Sequence, residues 1–275
     1  MTTTPSSTAG APAASDPVLV LWDLDLTLLD PAGFGTRMIT PVLAARVGRA
    51  PEMGATFAGR TDRAILTDLL VRNGLIAEDP KTDNPQPDNP TPESPKTQNP
   101  GDDDDNARSD IVSVVMDEVA DRCERHADDL IAAGGGPLPG SHDAVRALAA
   151  DPRVHQGIVT GNMRRTALLK LRVCGFDGLP DPSLGAFGDH RSDRAHLVLD
   201  AVAAARSRGV DVTPARAVVV GDHVHDVRGA LDAGARCIAV ATGRVSADEL
   251  AAAGAHVVLP DLTDPDALIA ALATP

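Results

Sequence analysis

The sequence predicts an α/β fold, a Rossmann-like parallel sheet core with a helical cap inserted after its first strand. Three observations carry that expectation. Val18 to Trp22 is an unbroken apolar run that ends in acidic residues, as suits a strand buried on both faces. From Ser141 onward, strand patterns and helix patterns alternate, which implies parallel strands with helices on both faces. Between these two parts, roughly Gly35 to Ala133, the apolar residues recur at helical spacing only.

The order of elements follows from local signals. Residues 1–17 are rich in Thr, Ser, Ala and Pro and read as a disordered tail. The segments 18–34 and 137–275 make the core, and 35–136 makes the cap. In the cap, Thr40-Pro41 reads as an N-cap and first helical position, with a helix to Val47 stopped by Gly48. Gly59-Arg60-Thr61-Asp62 reads as a capped turn before a helix bearing Ile65, Leu66, Leu69 and Leu70. The stretch 78–110 holds repeated Asn-Pro pairs, the acidic run Asp102 to Asp105 and no large apolar residue before its end. It is expected to be a disordered insertion. Helical spacing resumes at Ile111 and runs to Ile131, before Gly134-Gly135-Gly136.

In the second core segment, Ser141 is expected to cap a helix to Ala150. Gly157 to Val159 is a strand ending in Thr160-Gly161-Asn162, and Met163 to Val173 is a helix. A strand over Leu184 to Phe187 and a helix from Asp193 to Arg208 follow. Ala217 to Val220 is a Val-rich strand ending in Gly221-Asp222, and His225 to Ala233 is a helix. Cys237 to Val240, Ser246 to Ala253, His256 to Leu259 and Pro265 to Leu272 complete the alternation.

Composition narrows the function classes. The formal net charge of −14 argues against nucleic acid or an anionic membrane as partner. It leaves room for a small phosphorylated substrate held by local cations. Three widely spaced cysteines without a CxxC pair fit a reducing compartment and no structural zinc. No apolar run approaches a membrane span, and the first residues lack a secretory pattern. The expected location is the cytoplasm. Aromatics make up 2% and Tyr is absent, so the core must be built of Ala, Val and Leu. Oligomeric state is not legible in this sequence.

The chemistry gathers at strand ends, which in a parallel sheet share one edge. Asp23 and Asp25 follow the first strand, Thr160 the second and Asp222 the third, with Asp226 beyond. Carboxylates this close repel unless a cation or a shared proton relieves them. Mg²⁺ takes hard oxygen ligands of this kind, so Asp23 and Asp222 are candidate ligands. Thr160, with Gly161 and Asn162 at a helix start, offers an anion site.

At these positions the chain resembles the haloacid dehalogenase-like hydrolases. Asp23-Leu-Asp25-Leu-Thr27, Thr160 and Gly221-Asp222-His-Val-His-Asp226 stand in the order of that family's motifs one, two and four. The helical insert resembles its C1 cap, and Gly59-Arg60-Thr61-Asp62 is similar to the phosphoglycolate-phosphatase-like branch. The resemblance implies Asp23 as nucleophile, forming an aspartyl-phosphate. It implies Asp25 as general acid and base. It further implies Mg²⁺ held by Asp23, the Asp25 backbone carbonyl and Asp222, with Asp226 supporting the metal's outer shell. Thr160, Gly161 and Asn162 would hold the phosphoryl oxygens.

Two departures from the family pattern stand out. Leu26 replaces a Gly that usually follows the second Asp, and no Lys follows Lys170 to serve as the basic residue of motif three. Arg191 and Arg194 are the candidates, and Arg194, at a helix start, is favoured as a second phosphate ligand. The expected activity is Mg²⁺-dependent hydrolysis of a small phosphorylated metabolite. A haloacid dehalogenase-type hydrolase and a non-catalytic phosphate-binding protein are the alternatives.

Overall fold

The computed structural model describes residues 16–54, 57–78, 102–176, 178–191 and 193–274. The expectations for most of the N-terminal tail and for 79–101 therefore lie outside the described residues. The apolar run becomes strand β1 (Val18–Trp22), and its alternate side chains enter two different cores. Val20 and Trp22 face one helical layer, while Leu19 and Leu21 face the other. This two-sided burial makes the run continuous instead of alternating.

After β1 come β2 (Leu29–Asp30), α1 (Phe34–Val47), α2 (Asp62–Arg72), α3 (Asp102–Arg125) and α4 (Asp129–Ala132). Strand β3 (Gly136–Pro137) then pairs antiparallel with β2, so a two-stranded ribbon marks where the chain leaves and re-enters the core. The rest alternates as α5 (Ser141–Leu148), β4 (Val154–Ile158), α6 (Arg164–Val173), α7 (Arg194–Ser207), β5 (Ala217–Gly221), α8 (Val224–Asp232), β6 (Arg236–Val240), α9 (Ala247–Ala252), β7 (Val257–Leu259) and α10 (Pro265–Ala273). Five parallel strands form one sheet in the order β4-β1-β5-β6-β7. Successive strands from β1 go to opposite sides of it, which opens a crevice at the carboxyl ends of β1 and β5.

Four expectations are corrected. Helix α3 starts at Asp102, inside the stretch read as a disordered insertion. The helix is anchored further along by buried Val112, Val115, Met116 and Val119, and once nucleated it propagates cooperatively through a composition that looked solvated. Helix α1 starts at Phe34, with Gly33 at φ 73° before it, and Pro41 lies inside it. The helix tolerates the missing N–H because Phe34, Met38, Ile39 and Leu43 are buried along one side. Ser141 is the first residue of α5 and donates to the Leu138 carbonyl at 2.7 Å, while Gly140 takes the cap position. Leu184 to Phe187 makes only a single bridge, Val159 to Ala186, after a 3-10 turn over Pro182–Leu184.

Helix α3 packs against α1 and α2 and also against α6 of the core. One apolar cluster runs from Trp22 through Leu66 and Val119 to Leu268, so cap and core share a continuous interior. None of the described helices is long and apolar enough to cross a membrane.

The only tryptophan is anchored by a polar pair inside this cluster. Trp22 Nε1 donates to Gln156 Oε1 at 3.0 Å, and Gln156 Nε2 donates to the Val145 carbonyl at 3.0 Å. Replacing Gln156 with Met strands a buried indole N–H and a carbonyl. We expect Gln156→Met to cost about 1–3 kcal/mol in urea unfolding followed by Trp22 fluorescence; an unchanged midpoint would contradict the pairing.

Candidate active site

The crevice gathers three carboxylates. Asp23 follows β1, Asp222 follows β5, and Asp226 lies in the first turn of α8; all three are buried. One oxygen from each lies within 4.8 Å of the others. Asp226 is fixed by a capping box, in which it accepts from the His223 backbone N–H at 3.1 Å. Asp222 accepts from Thr27 Oγ1 at 3.3 Å. Burial, with the charge of Asp226 and then Asp25, pushes the Asp23 carboxyl up to about 7 despite Arg194. Burial, with Asp226 and Asp23, pushes Asp222 up to about 8.

The guanidinium of Arg194 opposes this charge. Its Nη1 lies 3.4 Å from Asp23 Oδ1 and 3.0 Å from Asp226 Oδ1. Burial alone would lower its pKa, but Asp226 and Asp23 raise it above the ordinary arginine value. Arg191, the other candidate, is exposed and pairs with Asp200 at 3.1 Å, away from the carboxylates.

Asp25 belongs to a second network. Lys170 Nζ donates to both of its carboxylate oxygens, at 2.7 and 2.6 Å, and to Asn162 Oδ1 at 2.6 Å. Asn162 Nδ2 in turn donates to Thr160 Oγ1 at 2.9 Å and lies 3.3 Å from Asp25 Oδ2. Burial works against the Lys170 charge, but Asp25 and Asp62 outweigh it, so its pKa is raised. Lys170 is 2% exposed, and a buried ammonium is tolerable only with such partners.

Leu26 keeps the geometry that a Gly would supply. Its φ is +64°, in the left-handed region. Its N–H donates to the Leu29 carbonyl at 2.7 Å, and its carbonyl accepts from Thr242 Oγ1. The turn is therefore held from both ends, and the strain of a non-Gly residue there, about 1–2 kcal/mol, is absorbed.

The cap closes over these groups. The Asp62 N–H donates to the Gly161 carbonyl at 2.7 Å, and Asp62 Oδ2 accepts from the Met163 N–H at 2.8 Å. A Cβ at Gly161 would collide with the Arg60 carbonyl, so glycine permits this contact. Burial raises the Asp62 carboxyl to about 6, against the lowering effect of Lys170. Arg60 turns to Asp68 at 3.2 Å. Asp62 and Arg60 line a cavity of about 600 Å³ shared by the cap and the strand ends.

The structure thus brings Asp23, Asp222 and Arg194 to one group and Asp25, Asn162 and Thr160 to an adjoining one; all line the cavity, with Gly161 at its edge. The sequence reading missed Lys170. Its signal is a single Lys inside a buried helical stripe with Thr166, Ala167 and Leu171. Asp226, read there as an outer-shell support, is the third member of the carboxylate cluster, whereas the Asp25 side chain is not a member.

The donor set fits a hard divalent cation. It is all oxygen, and Asp226 Oδ1 is buried and accepts no hydrogen bond although Arg194 is near. A Cβ at Gly243 would collide with Asp222 Oδ2, so the approach beside that oxygen is kept free. Asp23, Asp222 and Asp226 are the residues that would hold such an ion.

Residues 193–265 match the family described as HAD-hydrolase-like. No curated protein matches the chain in sequence. Among solved structures, a hydrolase from Pseudomonas syringae superposes with a TM-score of 0.60 at 18% identity, covering 93% of this chain and 98% of that one. A predicted phosphatase from Clostridium acetobutylicum superposes at 0.59 and 18% identity, covering 92% and 97%. CbbY from Rhodobacter sphaeroides, in complex with phosphate, superposes at 0.51 and 20% identity, covering 94% and 100%. At these identities the likeness establishes the fold.

The left-handed turn at Leu26 gives a test. Leu26→Gly should remain within about 1 kcal/mol of wild type, whereas Leu26→Val, which is β-branched, should lose roughly 1–2 kcal/mol more. Equal stability of the two variants in chemical denaturation would contradict the turn.

Proposed function

From the premise that this chain has the haloacid dehalogenase-like hydrolase fold, we propose that it is a Mg²⁺-dependent phosphatase acting on a small phosphorylated metabolite. The observation that carries the reading is the buried cluster of Asp23, Asp222 and Asp226 beside Arg194, at the edge of a parallel sheet. When bound there, Mg²⁺ supplies charge neutralisation, which lets an anionic carboxylate approach an anionic phosphoryl group.

The chain's own groups divide the remaining work. A carboxylate oxygen of Asp23 attacks phosphorus, the new O–P bond forms, and the ester oxygen leaves. Asp25 delivers a proton to that oxygen. A water oxygen then attacks phosphorus as Asp25 takes its proton, and the Asp23–phosphorus bond breaks. The net change is monoester plus water to alcohol plus phosphate. Arg194 holds phosphoryl oxygens through two N–H groups, and Thr160 with the Gly161 and Asn162 amides borders the same anion. Lys170 and Asn162 fix the Asp25 carboxylate, so its proton is exchanged from one orientation. The Asp62 latch keeps bulk water out while the first bond is made.

A haloacid would leave as halide and would need no proton from Asp25, so the Asp25–Lys170–Asn162 network favours a phosphate ester. The phosphate found with CbbY of the same fold is consistent with that choice. Three buried, unpaired cysteines suit a reducing compartment, in support of a cytoplasmic location.

Hydrolysis of p-nitrophenyl phosphate, with Mg²⁺ and after its removal by a chelator, tests the reading. Turnover should require the ion, and Asp23→Asn should lose on the order of a thousandfold or more in kcat. Lys170→Met should lose about 10- to 100-fold in kcat with KM little changed, because it positions Asp25 without binding substrate. Metal-independent turnover, or full activity in Asp23→Asn, would sink the proposal.

A further inference from the structure

One leucine in the cavity wall has no place in the interior. Leu24, Leu28 and Leu29, in the turn after β1, are fully buried and belong to the apolar cluster that cap and core share. Leu26, among them in the chain, is half-buried and, among the described residues, packs with neither apolar cluster. It lines the cavity with Asp23 and Asp25 instead. Its backbone is in the left-handed region at φ 64°, where glycine is free and a leucine is strained. The leucine therefore costs the turn stability and returns no core packing. Strain of this kind clusters at functional sites.

The position of this side chain is fixed. The Leu26 N–H donates to the Leu29 carbonyl at 2.7 Å, and its carbonyl accepts from Thr242 Oγ1, which ties the turn to the loop after β6. The backbone cannot retreat without breaking these bonds. Asp25, the preceding residue, is held as well, by Lys170 and Asn162. An ester oxygen that takes a proton from Asp25 must come within hydrogen-bond reach of it. The carbon bearing that oxygen is one bond further on, and consecutive residues are only about 3.8 Å apart along the chain. That first carbon and its substituents are accordingly the part of the alcohol that approaches Leu26. Atoms further along spread into the rest of the cavity. Its lining includes Thr36, His223 and Arg244, and so sets no bar to charged or hydroxylated groups.

Resting on the phosphatase reading above, we infer that Leu26 is a specificity-determining residue whose side chain bars branching at the carbon that carries the ester oxygen. The substrate class is the phosphate monoester of a primary alcohol, and esters of secondary alcohols are rejected by contact with the leucine. The selection acts on shape at one atom and is independent of the charge or polarity of the remainder. One extra carbon at an apolar wall is worth roughly 10- to 200-fold in discrimination, and the preference for primary esters falls in this range.

Glycerol 1-phosphate and glycerol 2-phosphate, offered to the full chain with Mg²⁺, test this. The two have the same atoms, the same charge and the same alcohol product, and differ in whether the ester carbon is primary or secondary. The wild type should favour glycerol 1-phosphate by about tenfold or more in kcat/KM, and Leu26→Gly and Leu26→Ala should each lose most of that preference. Alanine keeps the strained backbone and removes the bulk, whereas glycine removes both, so the pair separates side chain from turn. Calorimetry of n-butylphosphonate and isobutylphosphonate reads the same contact without turnover, because a methylene stands where the ester oxygen would be. The wild type should bind the straight-chain compound more tightly, and both variants should bind the two alike.

A wild-type ratio near unity overturns the inference, as does a preference that persists in Leu26→Ala. The phosphatase reading fails separately. p-Nitrophenolate is a weak base that departs without a proton from Asp25, so p-nitrophenyl phosphate is not held to the contact and reports the chemistry alone. Its turnover with no preference between the glycerol phosphates keeps the phosphatase and removes the role of Leu26. No turnover of any ester, with the straight-chain phosphonate favoured by the wild type alone, does the reverse. No turnover and equal binding of the two phosphonates overturns both.

Discussion

Mutual repulsion among three buried carboxylates is the constraint on which the arrangement depends. Asp23, Asp222 and Asp226 put oxygens within 4.8 Å of one another, and all three side chains are buried. Burial and repulsion push Asp23 and Asp222 far above the ordinary carboxylate range. A fold selected for stability alone would have no reason to assemble such a cluster. The parallel sheet brings it together, because β1 and β5 are neighbours and end on the same edge. Arg194 offsets part of the charge from the start of α7, and the remainder is what a divalent cation would neutralise.

The adjoining network solves a different problem with the same means. Asp25 follows Asp23 by two residues, yet its carboxylate turns away from the cluster to Lys170 and Asn162. The left-handed Leu26 and the Thr242 contact hold the turn that separates them. One short segment thereby presents two carboxylates to two environments, one beside two further buried carboxylates and one beside a buried ammonium. Division of roles between nearby carboxylates by environment is a general device for acid–base chemistry.

Most of this fold was legible because its signals are local. Val18–Trp22 and Ala217–Val220 read as buried strands from β-branched and apolar runs, and their polar termini marked the edge where open α/β sheets bind ligands. The Thr61 cap and the Ile65, Leu66, Leu69, Leu70 spacing marked α2. What stayed hidden depends on tertiary partners. Lys170 looks like a surface residue until Asp25, 145 positions earlier, is brought to it. Arg194 could be favoured over Arg191 from its place at a helix start, but its contacts with Asp23 and Asp226 needed the fold. Pro41 sits inside a helix that burial holds together, against its own propensity. The start of α3 at Asp102 was masked by acidic composition, which reads as solvated when no structure is attached. The ribbon of β2 and β3 is too short to leave a period in the sequence.

The most direct test of the central claim is Mg²⁺ binding itself, read without turnover. Calorimetry and thermal melting of the wild type should show about one Mg²⁺ bound and a melting temperature that rises with its concentration. Asp222→Asn, which removes one of the repelling charges, should melt higher than the wild type in the absence of Mg²⁺ and lose the response to it. A wild-type melting temperature indifferent to Mg²⁺, or an undiminished response in Asp222→Asn, would contradict the account of this cluster as a cation site.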